Sequence, residues 1–170
     1  MRILLTNDDG IHAPGLEVLE AIAAELSDDI WVVAPAEEMS GAGHSLTLTV
    51  PVRLRRHGER RFSVVGTPTD SVMMALGHVM QEVKPDLVLS GVNRGGNLAE
   101  DVTYSGTVSA AMEGTLYGVR SIALSQVMSD LTTTEAFATA RAWGPRVLRP
   151  LIDMEWQKGV LLNVNFPPVA

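Results

Sequence analysis

Five short runs of aliphatic residues, spread along the chain, constrain its fold more than any other feature. Each run is continuously apolar rather than alternating apolar and polar residues, which is typical of parallel strands covered by helices on both faces. We therefore expect these runs to be buried strands of a mostly parallel sheet. They are ILL at 3–5, IWVVA at 30–34, LVL at 87–89, IAL at 122–124 and VLLNV at 160–164.

Helical patterns lie between the first three runs. Pro14 is well placed for the first turn of a helix and is followed by an apolar stripe at helical spacing. Further on, Thr67 can act as an N-cap, with Pro68 in the first turn and Asp70 completing a capping box. The apolar stripe of the first helix consists of Leu16, Leu19, Ile22, Ala23 and Leu26.

Two more helices are predicted in the second half of the chain. One begins at Ser105 and ends near Gly118, since glycine is common just beyond a helix C-terminus. The other is opened by Thr132 and Glu135, and Pro145 should kink or divide it because proline lacks the backbone N–H that a helix interior needs.

The stretch 44–66 departs from this alternation of strands and helices. Its period-two segments flank a polar tip that contains glycine, which predicts an inserted β-hairpin. A solvated tip is the simpler interpretation of its basic residues, and contact with a neighbouring subunit or an anionic substrate is the alternative. Those residues are Arg53, Arg55, Arg56, Arg60 and Arg61.

These elements predict an α/β protein, a three-layer α/β/α sandwich of Rossmann-like type, with a mostly parallel sheet and the hairpin inserted at about 44–66. A length of 170 residues suits a single domain over 1–170. The absence of cysteine excludes disulfides and fits a reducing, cytoplasmic compartment. No apolar run reaches the length of a membrane span, so we expect no membrane association. The net charge of −7 argues against nucleic acid as a partner.

Polar side chains cluster where the predicted strands end. Asp8 and Asp9 follow the first strand, Ser40 follows the second, and Asn93 and Asn97 follow the third. Because the carboxyl ends of parallel strands meet at one edge of the sheet, and ligands bind outside that edge, we expect these loops to form one site.

Asp8 and Asp9 are adjacent carboxylates, which repel each other unless a cation lies between them. In the simpler alternative, one of them caps the following helix and the other is solvated. Ser40 and Asn93 are candidate partners for the pair. Hard oxygen ligands of this kind favour Mg²⁺, Mn²⁺ or Ca²⁺ over Zn²⁺.

Ser105, Gly106 and Thr107 stand at a predicted helix start, where free backbone N–H groups and the helix dipole can bind phosphate. Serine and threonine are also ordinary N-caps, so this signal gains weight only beside an acidic metal site. A divalent cation next to a phosphate cradle favours phosphoryl chemistry.

Other protein classes fit less well. RILLTNDD and KPDLVLS resemble a response-regulator receiver, but position 90 is serine instead of a phosphoacceptor aspartate, and no lysine follows IALSQ. GAGHSL at 41–46 lacks the third glycine of a dinucleotide-binding loop. Ser105 lies in TYSGT, which is not the G-x-S-x-G turn of a serine hydrolase.

Four segments, in order, resemble the SurE family of survival-protein nucleotidases: ILLTNDDGIHAPG, VVAPAEEMSGAGHSLTL, GTPTDSV and LVLSGVNRGGNLAEDVTYSGTVSAAMEG. The resemblance runs from Met1 to the closing LLNVNFP. It implies a metal-dependent phosphatase that hydrolyses nucleoside 5′- and 3′-monophosphates to nucleoside and phosphate, some members also acting on short-chain polyphosphate. A receiver-like, phosphate-binding signalling module is the alternative function.

The resemblance also implies roles for single residues and an assembly. Asp8 and Asp9 would be both catalytic residues and ligands of Mg²⁺ or Mn²⁺. Family members usually continue past NVNFP with an extension that builds homodimers or homotetramers. The sequence stops at Ala170 without that extension, and we nevertheless expect a homodimer or homotetramer. The implied metal ligands are Asp8, Asp9, Ser40 and Asn93, and the implied phosphate-binding residues are Gly41, Asn97, Ser105, Gly106 and Thr107.

Overall fold

The computed structural model of the protein describes residues 1–128 and 134–169, which form a seven-stranded sheet covered by helices. The strands lie in the order β3-β4-β2-β1-β5-β6-β7, and every neighbouring pair is parallel except β3 with β4. The predicted α/β architecture with a mostly parallel sheet is therefore confirmed. The strands are β1 (Arg2–Thr6), β2 (Asp29–Pro35), β3 (Arg53–Arg56), β4 (Arg61–Val65), β5 (Leu87–Arg94), β6 (Arg120–Gln126) and β7 (Leu162–Phe166).

Helices cover both faces of the sheet, which explains why the central strands are continuously apolar. In β1, Ile3 and Leu5 pack into one core layer and Leu4 into the other, and all three are fully buried. Helices α1 and α5 lie on the first face, and α2 and α4 lie on the second. The helices are α1 (Pro14–Ala24), α2 (Pro68–Met74) with a π-helical turn (Ala75–Val79), α3 (Asp101–Tyr104), α4 (Gly106–Leu116), a 3-10 turn (Thr134–Phe137) and α5 (Ala138–Asp153).

The local signals predicted for the starts of α2 and α4 are confirmed. The Thr67 side chain accepts a hydrogen bond from the backbone N–H of Asp70, and the Asp70 side chain accepts one from the backbone N–H of Thr67, which completes the capping box of α2. Ser105 caps α4 by accepting from the N–H of Val108 at 3.1 Å. Each cap satisfies a backbone donor that the first helical turn leaves without a partner.

The hairpin is shorter than predicted. Only β3 and β4 pair antiparallel, and the preceding residues 44–52 form no strand. These residues are bonded to α2 instead: both the N–H and the hydroxyl of Thr47 donate to the carboxylate of Asp70, and the hydroxyl of Thr67 donates to the carbonyl of Ser45. Tertiary hydrogen bonds have replaced the strand ladder that the period-two pattern suggested.

The last helix also differs from its prediction. Thr132 lies outside the described residues, and α5 runs unbroken through both Pro145 and Pro150 instead of dividing at Pro145. Close packing on α1 favours the continuous helix: a Cβ at Gly144 would lie 2.6 Å from the Cδ1 of Ile22. Within the part of the chain that the structure describes, no helix combines the length and the apolar character required to cross a membrane.

Candidate active site

The two aspartates and Asn93 lie at the carboxyl ends of β1 and β5, where the course of the chain reverses across the sheet. After β1 the chain passes through α1 to β2 on one side, and after β5 it passes through α4 to β6 on the other side. Loops leaving in opposite directions open a crevice between the two strands, which is where open α/β sheets bind ligands. Asp8 follows β1, and Asn93 lies near the end of β5.

Asp8 joins the strand edge to the start of α4. It is 4% exposed and accepts a hydrogen bond from the hydroxyl of Thr107. Gly106 approaches it so closely that an added Cβ would lie 2.7 Å from the Cβ of Asp8 and 3.0 Å from its Oδ2. The acidic residue after β1 and the predicted phosphate cradle are therefore in direct contact.

The carboxylate pair carries more negative charge than its surroundings compensate. Burial raises the pKa of Asp8 above its ordinary value, and the hydrogen bond from Thr107 opposes that rise only in part. Burial first, and then the charge of Asp8, raise the pKa of Asp9 to about 6. Glu38 raises the pKa of Asp9 further, while the backbone N–H and the charge of Arg94 lower it. A bound cation would remove this penalty.

The loop after β2 borders the pair from the other side. The N–H of Met39 donates to the carbonyl of Asp8 at 2.8 Å, which attaches the loop to β1. The hydroxyl of Ser40 donates to Glu38 at 2.9 Å, so it would have to turn to bind a cation beside the aspartates. Gly41, which has a φ of +75°, is exposed, and an added Cβ would meet nothing within 4 Å.

Asn93 and Asn97 differ in the strand beside which they lie and in the side-chain atoms that they leave available to a ligand. The side-chain Nδ2 of Asn93 donates to the carbonyl of Gly95 at 2.9 Å, and no described residue donates to its Oδ1, which leaves that oxygen available to a cation. Asn97 is 6% exposed, and its Nδ2 donates at 2.8 Å to Ser125 on β6, which is separated from β1 by β5. The structure thus groups Asn93 with the strand edge nearest the aspartates and Asn97 with the next strand.

The available donors fit a hard divalent cation. Among residues 1–128 and 134–169, no group of three or more His, Cys, Asp or Glu side chains could hold a metal. The candidate donors are instead two carboxylates, an amide oxygen and a hydroxyl. His44 is bonded to Glu113, and His12 lies against the ring of His57, so these imidazoles have other contacts. An all-oxygen set matches Mg²⁺ or Mn²⁺ better than Zn²⁺.

Sequence reasoning missed two charged neighbours of the pair. Glu38 and Arg94 both act on the pKa of Asp9, with opposite signs. Arg94 follows Asn93 directly, so its position one residue beyond a predicted ligand was a usable signal. Glu38 gave no such signal, because only the folded loop brings it to the aspartates.

Comparison with known proteins shows close similarity over nearly the whole chain. A family model described as "Survival protein SurE" matches residues 3–170. The chain is 67% identical to 5′-nucleotidase SurE of Erythrobacter litoralis over 169 residues, covering 99% of this chain and 67% of that protein. It is 66% identical to 5′-nucleotidase SurE of Rhizorhabdus wittichii, covering 98% of this chain and 66% of the relative.

A solved structure agrees with these matches. The crystal structure of the SurE protein from Aquifex aeolicus is similar with a TM-score of 0.88 and 39% sequence identity, over 99% of this chain and 67% of that one. The sequence described here therefore spans about two thirds of the length of the proteins that it matches.

Proposed function

The chain belongs to the survival protein SurE family, and from that membership we propose that it is a phosphatase that hydrolyses nucleoside 5′- and 3′-monophosphates with the help of a divalent cation. Its relatives from Erythrobacter and Rhizorhabdus are named 5′-nucleotidases. Short-chain polyphosphate is a second candidate substrate, because it offers the same terminal phosphoryl group.

One observation carries the proposal: Asp8 touches both Thr107 and Gly106 at the start of α4. An acidic cation site and a helix N-terminus that can bind phosphate oxygens are therefore neighbours. Phosphoryl transfer needs this arrangement, since catalysis consists mainly of positioning the phosphate and neutralising its developing charge.

The proposed roles follow from the contacts of each residue. Asp8, Asp9, Ser40 and Asn93 would hold Mg²⁺ or Mn²⁺, which supplies positive charge and lowers the pKa of a bound water. The backbone N–H of Gly106 at the start of α4 binds a phosphate oxygen, with Asn97 and Gly41 at the margins. The free N–H groups expected over 105–107 are fewer than predicted, because the N–H of Ser105 donates to the carbonyl of Asp101 at 3.0 Å and the N–H of Thr107 is bonded to Asp8. Thr107 donates to Asp8 and so fixes that carboxylate, and Asp9, the less buried of the two, is the proposed proton acceptor.

The reaction balances as a single hydrolysis. The oxygen of water attacks phosphorus, and the ester bond to the nucleoside oxygen breaks. A carboxylate oxygen of Asp9 accepts the proton that the water loses and later releases it to solvent, and the departing nucleoside oxygen takes up one proton from solvent. The products are a nucleoside and inorganic phosphate.

The test is hydrolysis of nucleoside monophosphates with and without chelator, in wild type and two variants. We expect Asp8→Asn and Asp9→Asn to lower kcat/KM by a hundredfold or more, about 3 kcal/mol of transition-state stabilisation, because a neutral amide cannot compensate the cation. Asp28→Asn is the matched control, since Asp28 is an exposed carboxylate that lies before β2.

Two results would contradict the proposal. Full activity in chelator would exclude a divalent cation, and near wild-type turnover in both aspartate variants would make the pair structural. Stable labelling by acetyl phosphate without release would favour the receiver alternative. Ser90, at the position of a receiver's acceptor, is fully buried and carries no carboxylate, which disfavours that outcome.

We also propose that the protein forms a homodimer or homotetramer in the cytoplasm and does not bind nucleic acid. The segment before β3 exposes apolar side chains, with Leu48 84% and Val50 62% exposed, and burying such residues between subunits is favourable. Light scattering is expected to give at least twice the mass of one chain. A monomer at working concentration would overturn the assembly and leave the chemistry untouched.

A further inference from the structure

The backbone of Asn97 is held by a side chain from the far end of the sequence. The N–H of Asn97 donates to Oδ1 of Asn165 at 2.8 Å, and Nδ2 of Asn165 donates back to the carbonyl of Asn97 at 3.2 Å. One side-chain amide thus pairs with both polar backbone groups of a single residue. Nδ2 of Asn163 adds a third bond to the same carbonyl at 2.9 Å.

These bonds are additional to those that build the sheet. β7 is already paired with β6 along its whole length, including Ser125 opposite Asn165. Leu162 and Val164 pack against the core, whereas Asn163 and Asn165 alternate with them and extend from the other face of the strand. Two amides on one strand face are therefore directed at one loop residue.

The loop that carries Asn97 has little structure of its own. Gly95 has a φ of +117°, and Gly96 follows it directly before Asn97. Glycine loses more conformational freedom than any other residue when it is ordered, so a loop with two glycines needs outside contacts to adopt one conformation. The N–H of Gly95 donates to the carbonyl of Gln126 on β6 at 3.0 Å, and the bonds from β7 supply the contacts at Asn97 itself.

The side chain of Asn97 is restrained as well. Its Nδ2 donates to the hydroxyl of Ser125, and the residue is 6% exposed. With the backbone N–H, the carbonyl and one side-chain N–H in use, the second side-chain N–H and Oδ1 are the groups left for a ligand. Their direction is set by the contacts from β6 and β7.

We propose that Asn165, assisted by Asn163, is a positioning residue for the phosphatase reaction: its side-chain amide holds Asn97 in the orientation that binds the substrate phosphate. This inference rests on the proposed function and names a residue 68 positions from the one it orients. Asn165 acts through Asn97 and takes no part in proton transfer.

The test is a double-mutant cycle of Asn97→Ala and Asn165→Ala. For each variant, kcat and KM are measured with a nucleoside monophosphate, the dissociation constant is measured for inorganic phosphate, and Tm is measured without ligand. We expect Asn165→Ala to weaken phosphate binding and raise KM by roughly tenfold. In the Asn97→Ala background the same change should have no further effect, since a positioning residue has nothing left to position.

Asn163→Ala is the graded variant. It removes one of the three bonds to Asn97 and also the longer bond, at 3.3 Å, that Nδ2 of Asn165 donates to Oδ1 of Asn163, while both bonds from Asn165 to Asn97 remain. Its effect on KM and on phosphate binding should therefore be smaller, about two- to threefold, and should also vanish without the Asn97 side chain. If Asn165→Ala fails to fold, the cycle of Asn163→Ala with Asn97→Ala provides the same comparison.

The outcomes separate this inference from the proposed function. Additive losses in the double variant would show that Asn165 acts independently of Asn97, and unchanged phosphate binding in Asn97→Ala or Asn165→Ala would overturn the positioning role outright. If wild type hydrolyses no monophosphate, the proposed function fails, and phosphate binding alone then decides the role of Asn165.

Discussion

At the scale of single residues, the two neighbouring aspartates lie in different environments. Asp8 is buried and tied to Thr107, whereas Asp9 is less buried and its pKa is raised to about 6. Without a cation, folding places two like charges in a poorly solvated position, which costs stability. The pair is therefore destabilising by itself and favourable once a cation binds.

This arrangement predicts a pH dependence for the metal-free protein. The pKa of Asp9 is raised from 3.8 to about 6, so the folded protein binds this proton more tightly than the unfolded chain does. The penalty is absent below pH 3.8, grows between pH 4 and 6, and is complete above about 6. Asp9→Asn removes it at every pH, because an amide does not titrate.

The measurement is Tm in chelator for wild type and Asp9→Asn from pH 5 to 7.5. We expect the variant to exceed wild type by a few degrees at pH 7.5, since about 1 kcal/mol shifts Tm by roughly 2–4 °C in a protein of this size, and by less at pH 5. A Tm difference that is constant with pH would show that the pKa of Asp9 is not raised.

At the scale of elements, the start of α4 depends on a residue without a side chain. A Cβ at Gly106 would lie 2.7 Å from the Cβ of Asp8 and 3.1 Å from Cγ of Pro68 at the start of α2. Three segments thus meet at one point: the exit of β1 and the first turns of two helices. The close approach brings the backbone N–H groups of α4 next to the carboxylates.

Gly106→Ala should therefore damage both stability and activity. The added methyl has to displace Asp8 or Pro68, so we expect Tm to fall by several degrees, a cost of about 1–3 kcal/mol, and kcat/KM to fall at least tenfold. Gly58→Ala is the control, because the nearest atom to its added Cβ is 3.9 Å away and its φ is not positive. Equal effects of the two variants would mean that the contact at Gly106 is unimportant.

Elements were predictable from sequence where local signals decided them. The capping box at Thr67 and the buried strands depend on neighbouring residues and on continuous apolar character. The prediction of a hairpin strand over 44–52 was wrong because Thr47 bonds to Asp70, 23 positions away, and no local pattern shows such a contact. The division of the last helix that Pro145 could cause does not occur, for a similar reason, since Gly144 packs on Ile22 of another helix.

In the candidate site too, features set by the strand pattern could be predicted from sequence, and features set by long-range contacts could not. The placement of Asp8, Asn93 and Thr107 at one edge could be predicted, because parallel strands bring their carboxyl ends together. The bond between Ser40 and Glu38, and the hold of Asn165 on Asn97, depend on side-chain orientations in the folded loops. Sequence patterns carry no information on such orientations.

At the scale of the whole molecule, the site joins segments that are far apart in the chain. The carbonyl of Asp8 accepts from Met39, its carboxylate accepts from Thr107, and the loop after β2 is fixed again where the N–H of Gly43 donates to the carbonyl of Tyr104. The proposed donors lie after β1, in the loop after β2 and on β5, so they converge only when these segments are all folded. A cation at this site should therefore bind the native state and not the unfolded chain.

Metal binding is then expected to stabilise the entire fold. A ligand specific for the native state adds about 2.7 kcal/mol when present at 100 times its dissociation constant, which corresponds to a rise in Tm of roughly 5–10 °C. Chelated wild type titrated with Mn²⁺ or Mg²⁺ should show this rise, Asp28→Asn should match it, and Asp8→Asn and Asp9→Asn should lose most of it. Because Tm reports binding without turnover, equal rises in all four proteins would place the cation elsewhere even if the enzyme is active. No rise in Tm with either metal would remove the cation from the proposal. Asp9, with its raised pKa, would then act only as the proton acceptor and not as a metal ligand.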